Sequence, residues 1–163
     1  QASWGLANII ADSPKKYGMP CIEKNLVSIV VDLMKSESIT SEFLRTLTWL
    51  MNQICKSKAP FEYVHANFVS QYNEWGGVAF LPEIIKLFNL TDEDVLSDCL
   101  HTLKCIASVE DDDVLTEIIN MDCINIFIEF AACKTNCIRF PAIGLLALLL
   151  AGNDDSQTKV TSH

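Results

Sequence analysis

Apolar residues recur every three to four positions along almost the whole chain, and polar or Gly/Pro breaks interrupt them at regular intervals. That period is the signature of amphipathic α-helices. It predicts a first helix over residues 2–11, ended by Asp12-Ser13-Pro14. A short helix over 15–24 follows, broken near Gly18 and Pro20. Asn25 is placed to cap a helix over 26–36 whose apolar side carries Leu26, Ile29, Val30, Leu33 and Met34. Thr40 or Ser41 can cap a long helix through residue 55, and residues 56–60 form a turn. Residues 61–79 read as irregular, with Gly76-Gly77 as a breaker. Helix resumes over 80–88. Thr91-Asp92-Glu93-Asp94 combines a cap with first-turn acids and opens a helix to about 108. Asp111-Asp112-Asp113 opens a short helix to 121, Asp122 starts another over 123–133, and a last long helix covers 135–151, stopped by Gly152-Asn153.

The order is long, short, medium, long, and then the same again. Long helices begin near residues 2, 41, 91 and 135. Measured at Trp4, Trp49, His101 and Gly144, the intervals are 45, 52 and 43 residues. All-helical periods in the forties predict an α-solenoid of the armadillo or HEAT kind. The longer middle interval coincides with residues 61–79, so an insertion accounts for it. The units are 1–38, 39–90 with the insertion, 91–134 and 135–163. The chain opens without Met inside a helical pattern and stops soon after a new unit begins, which suggests a piece of a longer array.

Composition narrows the function. A net charge of −9 argues against nucleic acid or an anionic membrane as partner and favours a basic one. The longest apolar run, 140–151, is too short to span a bilayer and reads as a buried helix. Seven cysteines without a CxxC pair read as reduced, buried thiols. Cys133-x3-Cys137 has no second pair to complete a metal site, so neither metal nor cofactor is expected. The chain lacks a Gly-rich phosphate loop, G-x-S-x-G and H-E-x-x-H, so it does not read as an enzyme.

The residues that stand out are polar–aromatic pairs. Trp4 and Asn8 lie one helical turn apart, and Trp49 and Gln53 repeat the spacing in the next unit. A ladder of indoles and amides along one surface suits an extended peptide. Amides can bond a peptide backbone through both donor and acceptor. Trp75 lies in the insertion and reads as local packing beneath a loop.

These segments resemble importin alpha (karyopherin alpha), the nuclear import adaptor family. Trp4-Gly-Leu-Ala-Asn8-Ile-Ile-Ala-Asp12-Ser-Pro14 is similar to the family's W-A-L-G-N-I-A-G-D-S-P. Residues 44–56, from Leu44 through Trp49 and Gln53 to Lys56, resemble L-R-N-x-T-W-T-L-S-N-L-C-R. Asp94-Val-Leu-Ser-Asp98-Cys-Leu-His101 looks like E-V-L-A-D-A-C-W, and Pro141-Ala142 with Ala151-Gly152 and Gln157-Thr158 echoes a fourth motif. The resemblance implies an all-α, right-handed armadillo superhelix of about three to four repeats. Its concave groove would bind Lys/Arg-rich nuclear localisation signals, with residence in cytoplasm and nucleus. Importin-beta would be engaged through a region outside this chain.

Carried over by position, the resemblance implies peptide-binding roles for Trp4, Asn8, Asp12, Thr46, Trp49, Gln53, Asp98 and His101. Asp12 matches the main lysine acceptor. Gln53 and Thr46 stand where the family has Asn, His101 where it has Trp, and Cys105 where it has a Tyr-type partner. Gly144 and Leu148 replace Arg and Asn, and Ala151 replaces a groove Thr. The ladder thus fades toward the C-terminal end. The alternative expectation is an armadillo interaction scaffold that has lost cargo import.

Overall fold

Every regular element among the described residues is an α-helix, as the periodicity requires. The computed structural model describes residues 1–24, 26–56, 77–108, 112–152 and 161. The helices are α1 (Ala2–Asp12), α2 (Pro14–Glu23), α3 (Leu26–Met34), α4 (Ser41–Lys56), α5 (Gly77–Leu87), α6 (Glu93–Ala107), α7 (Asp112–Asn120), α8 (Ile124–Ala131) and α9 (Asn136–Ala151). They fall into two compact units, Gln1–Leu87 and Phe88–His163.

In the first unit α1 packs along α4, with α2 and α3 also against α4 and α5 against α3. Ala7 and Ile10 are buried on α1, and Leu47, Leu50, Met51 and Ile54 on α4. The start of α4 follows from one residue: Thr40 Oγ1 accepts from the Phe43 N–H at 3.2 Å, satisfying a donor that has no partner within the helix.

Four expectations for this unit change. α2 runs unbroken through Gly18 and Pro20. Pro20 is exposed, so the carbonyl deprived of a helical N–H can turn to water instead. α3 ends at Met34 rather than 36, and its buried side is Val30, Val31 and Met34, while Ile29 and Leu33 are outward. In a helix so rich in apolar residues, periodicity alone does not choose the phase. α5 begins at Gly77, inside the stretch expected to be irregular. The Asn25 cap, the rest of the insertion and Trp75 lie outside the described residues.

In the second unit α9 packs against α6 and α8, and α7 against α6. Phe88 meets Phe127 and Phe130 edge-on, with centroids 5.7 and 5.4 Å apart, an arrangement that suits the ring quadrupoles. Asp92, the second residue of the capping signature, caps α6: its Oδ1 accepts from the N–H groups of Asp94 at 3.2 Å and Val95 at 3.3 Å. Asp122 does not open α8 as expected. It takes a left-handed conformation (φ 55°) and closes α7, its N–H donating to the Ile119 carbonyl. Thr135 flanks α9, but its hydroxyl donates to Glu93 Oε1 at 3.0 Å rather than capping the helix.

α9 is not the buried helix expected. Pro141, Ala142, Leu145 and Leu149 are buried, while Phe140 is 61% exposed and Ile143 48% exposed. No helix among the described residues is long and apolar enough to cross a membrane.

Candidate functional site: polar–aromatic stripes on the long helices

At about 100° per residue, Trp4, Asn8 and Asp12 fall within roughly an 80° arc of α1. The core residues Ala7 and Ile10 point elsewhere. The exposures agree: Trp4 is 61% exposed, and Asn8 and Asp12 are exposed. A helix that buries Ala and Ile yet leaves an indole in solvent is not using that indole for its core. The Asn8 side chain donates through Nδ2 to the Trp4 carbonyl at 2.9 Å. A primary amide has two N–H donors and an acceptor oxygen, so this bond holds the group in place while using one donor. Asp12 stands at the junction of α1 and α2.

α4 carries the second stripe. Glu42, Thr46, Trp49 and Gln53 follow at intervals of four, three and four, and all are exposed or partly exposed. Thr46 Oγ1 donates to the Glu42 carbonyl at 3.0 Å, leaving the hydroxyl to act outward as an acceptor. Asn52, the other amide beside Trp49, is buried at 2% exposure. Gln53 is therefore the amide on the Trp49 side of the helix, and the extra methylene is not compensated by a neighbouring asparagine. Because α1 and α4 are packed together, both stripes belong to one unit. The exposed Arg45 and Lys56 flank the α4 stripe, so its acids are Glu42 and, from α1, Asp12.

In the second unit α6 repeats the spacing as Asp94, Asp98, His101 and Cys105. Asp94 is exposed and the other three partly so. The acid has a local effect: burial pushes the Cys99 thiol well above its ordinary range, and the adjacent Asp98 charge pushes it further. Along α9 the equivalent positions are Gly144 and Leu148, both partly exposed. A Cβ built on Gly144 would lie 2.9 Å from Lys104 Cε and 3.1 Å from Nζ, so the end of the Lys104 side chain covers this glycine.

The stripe positions were readable from spacing, and Glu42 and Asp94 could have been found by extending it one turn toward each N-terminus. Lys104 could not, because no local pattern pairs it with a glycine forty residues away. The cysteines divide differently from the expectation: Cys99 and Cys123 are buried, Cys137 is exposed, and all seven are thiols rather than disulfides. No cluster of three metal-ligating side chains occurs among the described residues.

Comparison with known proteins bears on this arrangement. No protein-family model matches the chain. Importin subunit alpha-2 of Arabidopsis thaliana is 27% identical over 116 residues, covering 70% of this chain and 19% of the relative. Importin subunit alpha-1b of Oryza sativa subsp. japonica is 24% identical over 165 residues, covering the whole chain and 28% of the relative. The chain thus spans 19 to 28% of the length of these curated relatives. Among solved structures, a designed armadillo repeat protein in complex with the peptide (KR)4 has a TM-score of 0.79 at 16% identity, covering 99% of this chain and 62% of that one. A computationally designed armadillo protein for modular peptide recognition gives 0.78 at 16% identity, with coverage of 99% and 62%. The fold is all-α and of the armadillo type, and the sequence is similar to importin alpha subunits at 24 to 27% identity.

Proposed function

We propose that this protein binds extended Lys/Arg-rich peptides through the stripes on α1 and α4 and serves as a nuclear import adaptor for cargo carrying such signals. The observation that carries the reading is Trp4, 61% exposed, with an exposed amide one turn on and an exposed carboxylate one turn further. Each part has a task in gripping a basic strand. The indole flanks the lysine stem, Asn8 bonds the peptide backbone, and Asp12 receives the ammonium. Trp49, Thr46 and Gln53 provide a second set. Asp98 and His101 offer a reduced version in the second unit. No bond is made or broken, and no cofactor is called for. The relatives named importin alpha and the designed neighbour holding (KR)4 support this class of partner. On the same reading the protein works in cytoplasm and nucleus, engages importin-beta through a segment beyond this chain, and is built of the four units at 1–38, 39–90, 91–134 and 135–163.

A second reading rests on specific residues. Gln53, His101, Gly144 and Leu148 replace the matching wall and ladder residues, which suits an armadillo scaffold that no longer carries import cargo. Calorimetric titration with a lysine-rich localisation peptide separates the two. The adaptor reading expects saturable, salt-weakened binding that Trp49→Ala lowers by roughly two- to thirtyfold and Asp12→Ala also reduces. Absence of binding to the folded protein selects the scaffold.

A further inference from the structure

Gly144 occupies, by its interval from His101, the position that carries an indole at Trp4 and Trp49 and an imidazole at His101. A glycine there leaves this place on α9 without a side chain of its own. The structure fills it with a cation from the neighbouring helix. Lys104 Cδ, Cε and Nζ lie 3.2, 2.9 and 3.1 Å from where a Gly144 Cβ would stand, closer than a Cβ allows for Cε. Only a residue without a side chain permits this approach. α6 and α9 pack within one unit, and Lys104 is partly exposed, so its ammonium lies beside Gly144 and meets solvent.

We infer that Lys104, seated on Gly144, sets charge specificity in the second unit by selecting an acidic peptide side chain opposite it. The inference rests on the peptide-binding reading above and specifies it. A lysine stem can replace an aromatic wall as an apolar surface, but it ends in a positive charge, which repels Lys and Arg and attracts Asp or Glu. Asp94 and Asp98 lie on the stripe of the same helix and favour a basic peptide residue. The preferred ligand is therefore not uniformly basic. In the second unit it carries lysines for Asp94 and Asp98 and one acidic residue for Lys104.

The test is a set of lysine-rich peptides in which a single Glu replaces Lys at each successive position, titrated into the protein and into Lys104→Glu and Lys104→Met. The wild-type protein should favour Glu at one position by about two- to fivefold, the scale of a solvent-exposed ion pair. Lys104→Glu should reverse the preference at that position and leave the others unchanged. Lys104→Met keeps the stem and should erase it. A wild-type protein that binds the set with no favoured position, or a preference that survives Lys104→Glu, overturns the inference while leaving the peptide groove standing. Failure of every peptide to bind overturns the groove reading and this inference with it.

Discussion

Replacing Trp4 by alanine should damage peptide binding out of proportion to stability. The indole is 61% exposed, so folding hides only the smaller part of it. A Trp buries roughly 200 Å² when fully enclosed. Somewhat under half of that, at about 25 cal/mol/Å², gives about 2 kcal/mol as an upper figure. Alanine returns roughly 0.5 kcal/mol through its better helix propensity, leaving a net loss of about 1–1.5 kcal/mol. A core truncation such as Ile10→Ala should cost more, about 2–5 kcal/mol. On the binding side, the lost cation–π and stem contacts are worth about 0.5–2 kcal/mol, a drop in affinity of roughly two- to thirtyfold. Urea unfolding gives the first quantity, and anisotropy of a labelled lysine-rich peptide the second. Trp4→Phe should fall between wild type and Trp4→Ala. Folded Trp4→Ala with unchanged peptide affinity would refute the assignment. So would a stability loss as large as that of Ile10→Ala, because the indole would then be serving the core.

Other outcomes follow from the same structure. Gly5→Ala should stabilise the protein by about 0.5–1 kcal/mol, because α1 gains a better helix former and nothing lies within 4 Å of the new Cβ; thermal unfolding checks it. Asp92→Ala removes an acceptor that serves two N–H groups and should cost about 1 kcal/mol in urea unfolding, with Asp92→Asn restoring most of it. In the native state a thiol reagent should modify the exposed Cys137 readily, while Cys99 and Cys123 stay unmodified until unfolding. The same buried thiols make stability depend on alkaline pH. Burial holds Cys123 up at about 12 and raises Cys99 as well, from an ordinary 9.0. Below about pH 9 both folded and unfolded chains keep these protons, and stability is unaffected. Above it only the unfolded chain ionises, so stability should fall steadily from pH 9 toward 12, and Cys99→Ala with Cys123→Ala should flatten that part of the profile.

Spacing made the long helices legible, because α1, α4, α6 and α9 each carry enough turns for the 3.6-residue period to stand out. It also placed Trp4, Asn8, Asp12, Trp49 and Gln53 on outward sides, since core and surface residues separate cleanly on α1 and α4. Phase failed where the helix is apolar nearly all round. On α3 the buried residues are Val30, Val31 and Met34 while Ile29 faces out, and on α9 Phe140 and Ile143 face out. Identical side chains sit on both sides there, and only packing distinguishes them. Caps were legible as chemistry and shifted by a residue in place: Asp92 supplies the cap in the Thr91-Asp92 pair, and Asp122 ends α7 rather than beginning α8. Lys104 over Gly144 is a tertiary contact between helices, and such contacts leave no local trace in the chain.

The central claim is that a lysine-bearing peptide lies directly on the indoles of α1 and α4. Titration of that peptide followed by the indole N–H resonances, assigned with Trp→Phe variants, tests it at the atoms concerned. Signals of Trp4 and Trp49 should shift together, saturate with a common Kd and weaken with added salt. Indole resonances that stay in place while the peptide binds would contradict it.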